Sequence, residues 1–191
     1  MVVNPLLPVS VSVSASANNV CAGTAVTFTA AAVNGGLTPV YQWNVNGIPA
    51  GTNSQVYTYT PLNNDAITCT LTSSEACITG NPATSSPVIM TVNSLLPVGI
   101  SISASSNPFC LGTSVTLTAT PVNGGPLVGY QWKVNGTNAG TNNPTYTYNP
   151  VSGDVVTCLM NSSLQCVSGN PATSNAIILT GIPGLPASVS I

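Results

Sequence analysis

The sequence predicts an all-β chain of two tandem antiparallel β-sandwiches. Three observations predict it. Apolar residues alternate with a period of two rather than 3.6, the chain repeats itself at a fixed offset, and turn residues punctuate it at short intervals.

The offset is 89. Cys21-Ala-Gly-Thr-Ala-Val-Thr-Phe-Thr-Ala30 recurs from Cys110, Tyr41-Gln-Trp43 as Tyr130-Gln-Trp132, and Asp65 with Cys69 as Asp154 with Cys158. Gly80-Asn-Pro-Ala-Thr-Ser85 recurs from Gly169, and the register never slips. Roughly half of the aligned positions are identical, which marks a recent duplication. Domain boundaries follow: a linker at 1–8, a first repeat at 9–92, a linker at 93–98 and a second repeat at 99–181. Residues 182–191 are expected to form a linker and the first strand of a third repeat, because they match 4–13 and 93–102. That phase suggests a window cut from a longer array. The alternative is a strand donated to a neighbouring molecule. Met1 is followed by no basic or long apolar segment, so no signal peptide is read.

Each element of the repeat follows from its pattern. Val9-Ser-Val-Ser-Val13 and Val26-Thr-Phe-Thr-Ala30 alternate as half-buried strands do. Tyr41, Trp43 and Val45 share one face of the next strand. Val56 to Tyr59 is rich in β-formers, Ile67, Cys69 and Leu71 line one face, and Val88 to Val92 closes the repeat. Asn34-Gly35, Asn46-Gly47 and the Pro61-to-Asn64 segment supply hairpin-type turns. No stretch of adequate length has helical periodicity.

Composition removes most chemistry. Only Lys133, Asp65, Glu75 and Asp154 are charged, and there is no histidine or arginine. Acid–base and nucleophilic catalysis need titratable groups in pairs. Zinc and calcium sites need histidines or clustered carboxylates, and nucleic-acid binding needs a basic patch. No catalytic residue, metal site or cofactor is therefore expected, nor a nucleic-acid partner. No run of about 18 apolar residues suggests membrane insertion by a helix. Charge is not part of the repeat's pattern: Asp65 and Asp154 correspond, but Glu75 aligns with Leu164 and Lys133 with Asn44.

The order Cys21, Trp43, Asp65-x-x-x-Cys69 resembles an immunoglobulin-type repeat. The resemblance puts Trp43 and Trp132 in the core, on the third strand. Two departures matter. Cys21 precedes the second strand instead of standing inside it, and Ile67 replaces the tyrosine usual two residues before the second cysteine. The usual bridge between sheets is not assumed. More closely, the chain resembles the Ig-like/PKD-like tandem repeats of giant Bacteroidota surface adhesins. It does so through Cys-x-Gly-Thr-x-Val-Thr, Tyr-Gln-Trp-x-Val-Asn-Gly, Asp-x-x-Thr-Cys and Asn-Pro-Ala-Thr-Ser. That resemblance implies type IX secretion, an extracellular cell-surface location and adhesins of the kind used in gliding motility.

Each repeat carries three cysteines: Cys21, Cys69 and Cys77, then Cys110, Cys158 and Cys166. An odd number cannot close within one repeat. Cys21–Cys69, Cys69–Cys77 and a cross-domain pair Cys21–Cys166 all remain open. The cross-domain pair is favoured because it leaves no exposed thiol in a long array, with Cys69 and Cys158 as buried thiols beside the tryptophans. Cys77 and Cys110 would then await the preceding and following repeats.

Other signals have plain readings. Asn135-Gly-Thr and Asn161-Ser-Ser are glycosylation sequons without counterparts in the first repeat, as chance would give in an Asn- and Thr-rich chain. Tyr57 and Tyr59, like Tyr146 and Tyr148, point one way, into the core or onto an aromatic ridge. Asp65 and Asp154 are expected to orient turns by Asx bonding.

The function expected is a non-catalytic structural or adhesive module of a long extracellular filament. Its partners are neighbouring repeats of the same polypeptide, with surface glycans or self-association as further contacts. A self-assembling fibre or sheath subunit is the alternative, since edge strands lack the Lys and Glu that block edge pairing. A carbohydrate-binding module ranks below both.

Overall fold

The computed structural model describes residues 5–184. The regular structure of these residues is all β, and the chain divides into two compact units, Met1–Ser94 and Leu95–Ile191. The strand expected at the very end lies largely outside the described residues.

In the first unit, Ser10–Ala15, Val26–Val33 and Val56–Tyr59 form an antiparallel three-stranded sheet with Val26–Val33 central. The second sheet runs Ile48–Ala50, Val40–Val45, Ala66–Thr72, and then two short strands, Ala83–Thr84 and Val88–Ile89, both on Ala66–Thr72. The period-two pattern explains the layering. Val26, Phe28 and Ala30 of one sheet, and Trp43, Ile67, Cys69 and Leu71 of the other, are fully buried, while their neighbours in sequence face outward. Burying a side chain of the Leu or Phe class stabilises by about 1.5–3 kcal/mol. The two facing layers are thus the main support of an Ig-like sandwich.

The second unit repeats this arrangement with Gly99–Ala104, Val115–Val122 and Thr145–Tyr148 in one sheet. The other contains Thr137–Ala139, Gly129–Val134, Val155–Asn161, Ala172–Thr173 and Ile177–Ile178. Val115, Leu117, Trp132, Val156, Cys158 and Leu179 are its fully buried centre.

Three local expectations differ from the structure. Asn46-Gly47 does close a hairpin, with Val45 opposite Ile48 and φ of +54 and +79. Asn34-Gly35 instead carries the chain from one sheet to the other, as does the Pro61-to-Asn64 segment. A left-handed Asn suits an arch as well as a hairpin, and here the strands it joins do not pair. Finally, Val88 to Val92 is not one strand. Val88–Ile89 pairs antiparallel with Ala66–Thr72, and Val92–Asn93 pairs parallel with Val20–Cys21. Between them Met90 turns fully into the core, its N–H donating to the Asp65 carbonyl at 2.9 Å.

Short parallel pairs also form in segments that the sequence reads as linkers. Leu7–Pro8 pairs with Ile78–Thr79, and Leu96–Pro97 with Val167–Ser168. Gly181–Ile182 pairs with Phe109–Cys110.

Candidate functional site

The cysteines occupy three distinct environments. Cys69 and Cys158 lie in the core, directly opposite Trp43 and Trp132 across the central strand pair, and both are free thiols. Burial pushes each thiol up to about 11, against backbone hydrogen bonding that lowers it. They behave as small apolar side chains.

Cys21 and Cys166 are each disulfide-bonded. Cys77 and Cys110, their counterparts in the other repeat, are exposed free thiols. Free thiols at Cys69 and Cys77 mean that neither Cys21–Cys69 nor Cys69–Cys77 forms.

Local pairing places these cysteines at the two chain passages of each unit. Cys21 is the register partner of Asn93, with the Ala22 N–H donating to the Asn93 carbonyl at 2.8 Å. Cys110 is likewise opposite Ile182, and the Leu111 N–H donates to the Ile182 carbonyl at 3.0 Å. So Cys21-type residues flank the strand by which the chain leaves a unit. Cys77 and Cys166 flank the strand by which it arrives: the Leu7 N–H donates to the Cys77 carbonyl, and the Leu96 N–H to the Cys166 carbonyl, both at 2.9 Å.

The arrival end is built from small polar side chains. The Asn34 Nδ2 donates to the Pro8 carbonyl at 2.7 Å, and the Ser73 hydroxyl donates to the Asn34 carbonyl at 2.6 Å. The Asn81 side chain accepts from the Ser73 N–H and donates to the Ser73 carbonyl. A pocket of about 280 Å³ opens there, lined by Pro5, Leu7, Glu75, Ala76 and Cys77.

The two aspartates that recur at the same offset are structural. Asp65 is buried, and its carboxylate accepts from the Asn46 Nδ2 at 2.7 Å, the Leu62 N–H at 2.7 Å and the Tyr59 hydroxyl. Burial acts to raise its pKa, but these three donors outweigh it and hold the carboxyl below its ordinary value. Asp154 repeats the set with Val151, Asn135 and Tyr148, and its pKa is likewise lowered against burial. Tyr59 and Tyr148 are displaced upward, first by burial and then by the carboxylate beside each.

Trp43 and Trp132 are fully buried, and their indole N–H groups donate to the Ser54 and Asn143 carbonyls at 2.8 and 2.9 Å. They offer no face for stacking on a sugar. Tyr57 and Tyr59 are half-buried and stacked with centroids 5.4 Å apart, and Tyr57 lies 5.7 Å from Trp43. They complete the core. Exposed faces carry Thr pairs instead: Thr27 with Thr58, Thr70 with Thr84, and Thr116 with Thr147 hydrogen-bond across strands at 2.8–3.0 Å. Such pairs support a sheet without charge.

Sequence reasoning missed the partners of these side chains. Asn46 is a turn residue and Asn135 part of a sequon, yet each also donates to its aspartate and accepts from the N–H of the residue after that aspartate, Ala66 or Val155. Their exact recurrence with Asp65 and Asp154 was the available signal. Gly51 and Gly140, which also recur, each sit against a tyrosine ring, Tyr57 or Tyr146.

No protein-family model and no curated protein matches the sequence. Among solved structures, the three N-terminal domains of the bacteriophage RB49 Highly Immunogenic Outer Capsid protein are similar at 15% identity and a TM-score of 0.40, over 91% of this chain and 59% of that one. The mouse nectin-like molecule 4 ectodomain is similar at 15% identity and 0.37, over 95% of this chain and 66% of that one. Murine CEACAM1b is similar at 17% identity and 0.39, over 90% of this chain and 100% of that one. The chain thus spans less than two thirds of the first two. At such values these likenesses say nothing about ligand or partner.

Proposed function

We propose that this chain is a non-catalytic spacer module of a long extracellular surface protein, and that a disulfide between Cys21 and Cys166 staples one repeat to the next. The observation that carries the reading is the sorting of the cysteines. Of six, four are free, and the two in disulfide linkage are Cys21 and Cys166. Chain geometry supports the pairing. Cys21 sits beside Asn93 and Cys166 beside Leu96, and those two residues are three steps apart, at most ~11 Å of extended chain.

A disulfide persists in oxidising surroundings, which supports an extracellular location. The absence of histidine and arginine from the sequence supports a role without catalysis. The sequence words shared with Bacteroidota surface repeats support an adhesin of that kind, exported by type IX secretion. In such a protein the module holds a distal binding region away from the cell, and its Ser, Thr and Asn surface supplies weak uncharged contacts.

Non-reducing peptide mapping of the purified chain tests this. A single linked peptide joining Cys21 to Cys166 is expected. A peptide joining Cys21 to Cys69 contradicts the staple.

A further inference from the structure

We propose that the stack Trp43, Tyr57 and Tyr59 is an electron-transfer path, as is its copy Trp132, Tyr146 and Tyr148. Each path carries an oxidising hole from the buried tryptophan to the outer tyrosine, whose proton passes to the aspartate beside it. The inference does not depend on how the cysteines pair.

The rings form a continuous row. Trp43 and Tyr57 have centroids 5.7 Å apart, and Tyr57 and Tyr59 are stacked at 5.4 Å with 12° between their planes. In the second unit the same steps are 5.9 Å, then 5.0 Å at 14°. Rings in such contact let an electron pass from one π-system to the next. Trp43 and Trp132 are fully buried, whereas Tyr59 and Tyr148 are half-buried, so each row runs outward from the core.

A base stands at the outer end. The Tyr59 hydroxyl donates to the Asp65 carboxylate, and the Tyr148 hydroxyl to Asp154 at 3.1 Å. Burial and then that carboxylate raise both phenols, so each keeps its proton until it is oxidised. The indole N–H groups face backbone carbonyls, which are too weakly basic to take a proton. Packing alone does not account for the set. Phe28 lies against both tyrosines, at 6.5 and 6.1 Å, yet its counterpart is Leu117. The tryptophan, both tyrosines and the aspartate all recur.

The electrons balance with dioxygen as acceptor. Ultraviolet light ejects an electron from Trp43, and dioxygen takes it up as superoxide. Tyr57 gives an electron to the tryptophan radical cation, Tyr59 gives one to Tyr57, and the Tyr59 proton moves to Asp65. The chain has lost one electron, and a neutral tyrosyl radical remains at the half-buried end. A reductant of the ascorbate class returns the electron, and the proton goes back to Tyr59. The hole thereby leaves the neighbourhood of Cys69 and Met90, the oxidisable sulfur side chains of the same core.

The test is transient absorption of the native full chain after a nanosecond ultraviolet pulse in air-equilibrated buffer. The tryptophan radical should decay as a tyrosyl radical rises, at a rate independent of protein concentration and slower in heavy water. Tyr59→Phe combined with Tyr148→Phe keeps the rings and removes the proton-releasing ends; the tyrosyl yield should fall several-fold. Tyr57→Phe combined with Tyr146→Phe keeps the ends and breaks the middle; the rise should slow several-fold. A tryptophan radical that decays without a tyrosyl rise overturns the proposal, as does a yield unchanged by the first pair of substitutions. A rise equally fast in heavy water overturns the transfer of the proton to the aspartate.

Discussion

Asn46 donates to Asp65 across 2.7 Å and so ties the tip of one hairpin to the start of the strand that crosses the core. The same carboxylate holds the Leu62 N–H and the Tyr59 hydroxyl. Replacing Asp65 by alanine strands three donors at a buried position. Leaving donors unsatisfied there costs about 2–4 kcal/mol in all. Urea unfolding of D65A should show that loss. Tyr59→Phe removes one donor and should lose only about 1 kcal/mol.

The same groups set the response to pH. Asp65 and Asp154 have folded pKa values below the unfolded ones. Their stabilisation is present above the unfolded carboxylate value and is lost as pH falls through the lower folded value. Tyr59, Tyr148, Cys69 and Cys158 are shifted upward. Their stabilisation is complete below the unfolded values and fades as pH rises towards the folded ones, which begins near the ordinary thiol value of 9.0. With no histidine in the chain, the melting temperature should be level from about pH 5 to about pH 8. It should also be level between about 0.02 and 0.3 M salt, since few charge pairs exist to screen. Scanning calorimetry across both ranges checks this; a titration step near neutrality contradicts it.

Thiol reactivity should divide the six cysteines into three pairs. In the native chain a thiol reagent should count two groups, Cys77 and Cys110. Under denaturation without reductant it should count four, as Cys69 and Cys158 become accessible. After reduction all six should react. Four reactive thiols in the native state contradict the buried placement of Cys69 and Cys158.

Gly51 adopts a φ of +67, and a Cβ there would lie 2.7 Å from the Tyr57 ring. Alanine at this position meets both backbone strain and a ring that is stacked on Tyr59 and packed on Trp43. G51A should destabilise the first unit by about 1–3 kcal/mol, measured by urea unfolding. Gly47→Ala is a useful control, because its φ is also positive but its Cβ would meet nothing. It should cost less.

The sandwich was legible in sequence because its rule is local. Alternation at Val26-Thr-Phe-Thr-Ala30 and Ile67-Thr-Cys-Thr-Leu71 is enough to say which residues face inward, and burial follows it. What was not legible depends on partners far away in the chain. Asn34 and Asn46 carry the same left-handed backbone, yet one bridges sheets and the other closes a hairpin. The break between Ile89 and Val92 follows from parallel pairing with Val20, about seventy residues earlier. Sequence leaves three cysteine pairings open and favours the cross-domain one only because it leaves no exposed thiol in a long array. Register sets Cys21 beside the departing strand and Cys166 beside the arriving one, and this supports the cross-domain pairing proposed above.

The most direct test of the stapled spacer is to pull the chain by its two ends. A Cys21–Cys166 bond closes residues 22–165 into a loop that bears no load, so roughly 45 residues can extend, about 160 Å. Under oxidising conditions the chain should stop at that length, and reductant should release it to about 660 Å. An oxidised chain that reaches the full length through two domain-sized steps would contradict the staple and the spacer built on it.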